Sequence, residues 1–270
     1  MTASLSAPTQ AVPNKVAACF RALGLSHCTL LGKNVYQAYC SSFGWIAIKF
    51  AFTPQAKIQL QNEIRFLSKH FCKHWPAYID SGCHQQVSWL MLSLIDGISL
   101  ATANVESCQL LPLLNQLESI LQHIHNTGFI HGDIKPANIM LNKSTCELTV
   151  IDFGSTLTIG QHYQTLSSSV SPRFSGANAS LRYDKVRTRD DYAAMAITIQ
   201  TIFHHPPFAD QSISKFCRTQ SAPLAQQLPS RYQLLLQQQV TLTGNIVRSV
   251  ANSTQDMANS FSGLDYFASV

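Results

Sequence analysis

His131-Gly132-Asp133-Ile134-Lys135-Pro136-Ala137-Asn138, followed fourteen residues after the asparagine by Asp152-Phe153-Gly154, is the stretch on which the reading of this 270-residue chain turns. One loop carries a carboxylate, an ammonium and a carboxamide at positions i, i+2 and i+5, and a second carboxylate comes close behind. Phosphoryl transfer from a nucleotide asks for such a set: a carboxylate to orient the attacking hydroxyl, oxygen ligands for a divalent cation, and a cation against the migrating charge. Asp-Phe-Gly alone is a common turn tripeptide, and its spacing behind the first loop is what gives it chemical meaning. His131 reads as a core histidine bracing the loop, not as a proton carrier.

Outward from this loop the hydrophobic pattern changes with position. Leu110 to Thr127 is long and amphipathic, and Asp190 to Phe203 is continuous and mostly apolar, so both read as helices. Upstream, Val35 to Cys40 and Trp45 to Phe50 are β-branched and aromatic, and the Ser-Ser-Phe-Gly between them makes a hairpin. Ala56 to Lys69 carries Ile58, Leu60, Ile64, Phe66 and Leu67 at mostly helical spacing, with Glu63 beside that face. Asp80, Ser81 and Gly82 read as a turn, Val87 to Leu94 as a buried strand, and Asp96-Gly97 as another turn. With a short helix around Lys15 to Ala22, the expectation is an α+β protein: a polar leader and short helix over 1–25, a small β-rich lobe over 26–95 and a larger helical lobe over 96–270.

The loop, its Gly128 turn and the Ile-Asp-Phe-Gly behind it resemble the protein kinase superfamily, and the likeness extends over roughly residues 29 to 208. The resemblance implies a two-lobed kinase-like fold with a shortened C-terminal end. It implies Asp133 as catalytic base, Lys135 as the lysine that neutralises phosphate charge, and Asn138 and Asp152 as ligands of Mg²⁺. Ile46-Ala47-Ile48-Lys49 is similar to the family's VAIK strand, which puts Ala47 and Lys49 at the ATP site. Glu63, the single acidic residue between Lys49 and Asp80, becomes the partner of that lysine. Trp89 to Gly97 looks like the strand and hinge that hold adenine, with Leu92 as gatekeeper, the backbones of Ser93 and Ile95 as partners, and Met140 as the floor. Downstream, Ser171 to Ser180 and Arg187 to Asp210 are similar to the end of an activation segment and the helix beneath it, in the style of the casein-kinase branch. Asp190 is expected there as the aspartate that tethers the catalytic loop backbone.

Three departures from the family pattern matter. Leu-Gly-Lys-Asn-Val-Tyr-Gln-Ala-Tyr keeps Gly32 alone where the family's phosphate-covering loop has three glycines. Gly132 replaces the arginine that receives a phosphorylated activation-loop residue, so control by such phosphorylation is not expected. After Phe208 only 62 residues remain, without a match to the family's last helices.

Composition bounds the rest. Only 12% of residues are charged, with 19 basic against 14 acidic and no basic run of five or more, which speaks against dedicated nucleic-acid binding. Arg182, Lys185, Arg187 and Arg189 are the densest basic patch and permit an acidic or phosphorylated protein substrate. Eight cysteines without a CxxC pair, no secretory signal pattern and no apolar run of membrane-spanning length lead to the expectation of a soluble, cytoplasmic protein with reduced thiols. Cys72, His74, Cys83 and His84 match no zinc-module spacing. His123, His125, His204 and His205 are expected at surfaces or helix ends. The resulting expectation is ATP-dependent transfer to Ser or Thr of a protein. The alternatives are a small-molecule kinase of the aminoglycoside and choline type, which HGD also resembles, and a nucleotide-binding scaffold, suggested by the depleted glycine loop. The sequence leaves the oligomeric state open.

Overall fold

Period-two burial in the first hairpin organises the first of two compact units, which divide between Ile95 and Asp96 in the computed structural model. The described residues are 13–166, 171–218 and 228–262, without the side chains of 249–262, so the leader up to residue 12 lies outside them. The first unit runs α1 (Asn14–Ala22), β1 (Ser26–Gly32), β2 (Val35–Cys40), β3 (Gly44–Ala51), α2 (Pro54–Leu67), β4 (Tyr78–His84) and β5 (Val87–Ser93). Its strands form one antiparallel sheet in the order β1-β2-β3-β5-β4. Tyr36, Ala38, Ile46, Ile48, Phe50, Val87, Trp89 and Met91 are buried together, and Val16, Cys19 and Phe20 of α1 close over them. Phe20 sets its ring edge-on to Tyr36 and Phe50, with centroids 5.3 and 5.5 Å away. Because successive strand residues face opposite ways, Lys49 leaves the other face of β3. Helix α2 packs there against β3 and β5. Thr53 caps α2, accepting from Ala56 N at 3.2 Å, and Pro54 opens its first turn.

The turn expected at Asp80 to Gly82 is instead part of β4. Asp80 Oδ1 accepts the Ser81 N–H at 2.8 Å, and the pairing with β5 slips between Tyr78 and Asp80. The turn-forming residues thus mark a bulge inside a strand. Gly82 is needed there for a different reason: a Cβ would come within 2.7 Å of the Trp89 ring. The chain reverses at Gln85 and Gln86, both with positive φ.

The second unit contains β6 (Ile98–Ser99), α3 (Leu110–Asn126), β7 (Phe129–Ile130), β8 (Ile139–Leu141), β9 (Leu148–Val150), β10 (Leu157–Thr158), α4 (Ala177–Leu181), α5 (Thr188–Phe203), α6 (Ile213–Phe216) and α7 (Ser230–Ser262). Leu113, Leu114, Leu117, Ile120, Leu121 and Ile124 make the buried stripe of α3, which packs on α5. Each such side chain contributes about 1.5–3 kcal/mol of burial. Helix α5 is buried on nearly every side from Asp191 to Gln200. The end of the chain, expected to be reduced, contains the long helix α7, which lies against α4, α5 and α6. Tyr232, Leu236, Gln239, Val240, Thr243 and Ile246 form its inward stripe.

Among the described residues no helix is long and apolar enough to cross a membrane. All eight cysteines are free thiols. Removing the Phe20 ring opens a cavity between α1 and the sheet, so Phe20→Ala is expected to lower stability by about 3 kcal/mol, read by urea denaturation.

Candidate active site

Short strands on either side hold the loop from His131 to Asn138. β7 enters it, paired with β10, and a 3₁₀ turn over Pro136–Asn138 leads out into β8, which pairs with β6 and β9. Lys135 Nζ donates to Asp133 Oδ2 at 2.6 Å. Asn138 Nδ2 donates to the same Oδ2 at 3.1 Å and to the Asp133 carbonyl at 2.9 Å. Asp133 Oδ1 is buried and has no hydrogen-bond partner among the described residues. Lys135 Nζ also reaches Ser171 Oγ at 3.0 Å, which ties the loop to the segment that precedes α4.

His131 braces this arrangement from beneath. Its Nδ1 accepts the Asp133 N–H at 3.2 Å, which leaves Nε2 as the protonated nitrogen that donates to the Ile151 carbonyl at 3.1 Å. Its ring stands edge-on to Phe153. Ile151 N donates to the Asn138 carbonyl at 2.9 Å, so the residue just before Asp152 is bonded to both ends of the loop. Asp152 itself has φ 69°, a left-handed conformation that costs a non-glycine residue energy and persists because its neighbours are fixed.

The tether of the loop is Asp191, not Asp190. Asp191 Oδ2 accepts His131 N at 2.8 Å and Oδ1 accepts Gly132 N at 3.0 Å. Asp190, one position earlier on α5, is turned about 100° away and bonds Asn178, Tyr163 and the Arg187 N–H instead. His125 is at a helix end, in the last turn of α3, but it faces inward: its Nε2 meets Asp191 Oδ2 at 2.9 Å, and its side chain is almost wholly buried. The contact to Asp191 has no signature in local periodicity. Gly132 adopts φ +79°, and a Cβ there would stand 2.3 Å from the Ser155 carbonyl oxygen.

In the first unit, Lys49 Nζ donates to both carboxylate oxygens of Glu63, at 2.7 and 2.9 Å, and Glu63 is only 2% exposed. Ala47 lies two residues earlier on the same face of β3 and pairs with Leu92 of β5. Ser93 donates its N–H to the Ala77 carbonyl, and its hydroxyl accepts the Ala77 N–H, both at 2.9 Å. Ile95 is the last residue of this unit. Gly32 ends β1 opposite Val35, so Lys33 and Asn34 make a two-residue turn in which Asn34 takes the positive φ. Nothing within 4 Å would meet a Cβ on Gly32. In the second unit, Met140 is half-buried on β8, opposite Thr149.

The oxygens of Asn138 and Asp152 suit a hard divalent cation, which commonly takes one or two protein carboxyl or amide oxygens and completes its shell with water and substrate phosphates. With its amide nitrogen engaged by Asp133, Asn138 has its Oδ1 for such a role. Among the described residues no three His, Cys, Asp or Glu side chains gather as a separate metal site.

The loop gathers Asp133, Lys135 and Asn138 and is bonded to Ile151, the residue before Asp152, the residue types that phosphoryl transfer requires, and comparison with known proteins points to the same class. The protein kinase domain family matches residues 33–261, and the chain belongs to that family, whose members use ATP and a divalent metal. It is 28% identical over 156 residues to the serine/threonine-protein kinase pakA of Talaromyces marneffei, covering 56% of this chain and 24% of that one. It is 27% identical over 192 residues to the serine/threonine-protein kinase ste20 of Aspergillus oryzae, covering 66% and 22%. With the stress-activated protein kinase jnk-1 of Caenorhabditis elegans it shares 27% over 113 residues, covering 40% and 19%. The matched region thus spans about a quarter or less of the length of these relatives.

Because both the positive φ and the Ser155 carbonyl exclude a side chain at position 132, Gly132→Ala is expected to cost 1–2 kcal/mol or more. The measurement is a fall in melting temperature together with faster hydrogen exchange at the His131 and Gly132 amides.

Proposed function

We propose that this chain is an ATP-dependent kinase that phosphorylates Ser or Thr of proteins. The observation that carries the reading is the unequal state of the two Asp133 oxygens. Oδ2 is claimed by Lys135 and Asn138, while Oδ1 is buried without a donor. A buried oxygen left unsatisfied is costly, and a substrate hydroxyl is the donor that relieves it. In the reaction, Asp133 Oδ1 accepts the hydrogen bond and then the proton of that hydroxyl. The new O–P bond forms as the bond from the γ-phosphorus to the β–γ bridging oxygen breaks, and ADP leaves with the electron pair. Lys135 holds the carboxylate in register and offsets charge on the phosphoryl group in transit.

Lys49, kept in place by Glu63, is proposed to hold the α- and β-phosphates. Asn138 and Asp152 are the ligands proposed for Mg²⁺, which when bound neutralises charge on the β- and γ-phosphates. Ala47, the Ser93 carbonyl, Ile95 and Met140 are proposed for adenine, and Gly32 for the phosphate-side turn. The protein-substrate reading draws support from the kinases to which the chain is similar and from a lysine at position 135. A small-molecule kinase is not favoured, given Lys135 and the protein kinases to which the chain is similar, and an inactive scaffold is not favoured, since Lys49, Asp133, Asn138 and Asp152 are all present. The basic patch does not argue for an acidic substrate, because Arg182 bonds the Tyr163 carbonyl, Arg187 bonds Asp184 and Arg189 bonds Gln238, which spends much of the patch internally. A cytoplasmic location is proposed on the eight free cysteines.

Asp133→Asn is expected to lower transfer to a protein substrate by about 100-fold or more while ATP binding, followed by calorimetry, stays the same; near-normal turnover would remove Asp133 from the role of base. Asp152→Ala is expected to abolish most of the Mg²⁺-dependent rise in melting temperature that ATP gives, and an undiminished rise would argue against the proposed metal site.

A further inference from the structure

Control of a kinase by phosphorylation needs a cation to receive the phosphate, and position 132 cannot supply one, because any side chain there meets the Ser155 carbonyl. The segment before α5 is nonetheless tightly bound. Tyr163 is 1% exposed, and its hydroxyl donates to Asp190 Oδ2 at 3.1 Å. Asn178 Nδ2 donates to both Asp190 oxygens, at 3.2 and 3.1 Å, and to the Lys185 carbonyl at 2.8 Å. Asn178 Oδ1 accepts the Asp184 N–H at 2.9 Å, and Asp190 Oδ2 accepts the Arg187 N–H at 2.9 Å. Around this knot the backbone zips: Gly160 N to Val186 O, Val186 N to Gln161 O, and Tyr163 N to Asp184 O, at 2.9, 2.7 and 3.1 Å.

The charge logic is consistent. Burial beside Asp190 and Asp191 pushes the Tyr163 phenol far above its usual range, so it stays protonated and remains a donor. Burial also raises the Asp190 carboxyl, which makes its neutral donors valuable. A small cavity lined by Gly132, Asp133, Tyr163, Phe174, Asp190 and Asp191 separates the knot from the catalytic loop and has room for about one water molecule. The knot connects onward to the reacting groups through α4, which carries Asn178 and whose Ser180 Oγ donates to the Ser175 carbonyl at 3.1 Å. Ser175 Oγ and Phe174 N both bond the Ser171 carbonyl, and Ser171 Oγ accepts from Lys135, which holds Asp133.

We propose that Tyr163 and Asp190 are positioning residues that lock the segment bearing Ser171 in its working conformation without any phosphate. Their side chains do the work that a phosphoresidue and its arginine do in a phosphorylation-controlled kinase. This rests on the protein kinase reading above, and the test separates the two.

The full chain is treated with phosphatase until intact mass shows no phosphate, and Tyr163→Phe, Asp190→Asn and the double variant are prepared alongside. The unmodified protein is expected to keep its transfer rate within twofold. Tyr163→Phe, which removes one oxygen and keeps the ring, is expected to speed hydrogen exchange in 160–166 and 182–187 tenfold or more. Its kcat for a protein substrate should fall tenfold or more while KM for ATP moves less than twofold, a split that general destabilisation would not give. Asp190→Asn turns one acceptor oxygen into a donor and so also disturbs the bonds to Asn178 and the Arg187 N–H; the effect of the double variant is expected to fall short of the sum of the two single effects, because they share the Tyr163–Asp190 bond. Unchanged exchange in Tyr163→Phe overturns the proposal, as does a tenfold loss of activity on dephosphorylation. If the unmodified chain transfers phosphate to no protein, the kinase reading fails, and the exchange comparison alone decides whether Tyr163 and Asp190 form the lock.

Discussion

Two N–H groups at the head of the catalytic loop, those of His131 and Gly132, end on the carboxylate of Asp191, and much of the second unit is built around that contact. A carboxylate 1% exposed is tolerated only when donors surround it. Here two amides come from the loop and one imidazole from His125 of α3, so α3, α5 and the loop converge on a single anion. Hydrogen bonds to a charged group contribute about 1.5–3 kcal/mol each, more than the loop's own turns supply. The apolar stripe of α3 against α5 puts Asp191 and His125 within reach of each other, and the bonds then fix which way the loop faces.

The same contact shows where reading a sequence stops. Asp190 and Asp191 are adjacent acids at the start of a helix, and their roles divide by side-chain direction. In an amphipathic helix the buried phase would have told them apart. Helix α5 is buried nearly all round, so residues in phase with Asp190, such as Ala194 and Ile197, are as buried as those in phase with Asp191, such as Met195 and Thr198. Periodicity carries no information there. By contrast, Lys49 and Glu63 could be matched from the sequence because no other acid lies between Lys49 and Asp80, and the two side chains do meet.

The elements that could be read are those with a clean period. Strands β2 and β3 alternate, α3 repeats its leucines every three or four residues, and the Ser-Ser-Phe-Gly turn has its glycine at positive φ. Strand β1 has an almost wholly exposed pattern and no alternation to find. In β4 the bulge at Asp80 imitates a turn. Helix α7 was hidden because its inward stripe includes Gln239 and Thr243, which a hydrophobic pattern counts as surface. Both are satisfied inside: Gln239 Oε1 accepts the Ala177 N–H at 2.9 Å, and Thr243 Oγ1 donates to the Gln239 carbonyl at 2.8 Å. A buried glutamine that holds the start of α4 is a tertiary fact, and local composition cannot express it.

Scarcity of charge gives these contacts their selectivity. The two-residue turn at Lys33 and Asn34 carries β1 straight into β2, so it offers fewer unpaired N–H groups than a glycine-rich loop would present to a phosphate. In the proposed kinase that shifts the burden of holding phosphate onto Lys49, and therefore onto whatever keeps Lys49 extended. Glu63 does so from a buried site, where an unpaired carboxylate would be strongly disfavoured. The pair is held together by the cost of separating it as much as by its attraction.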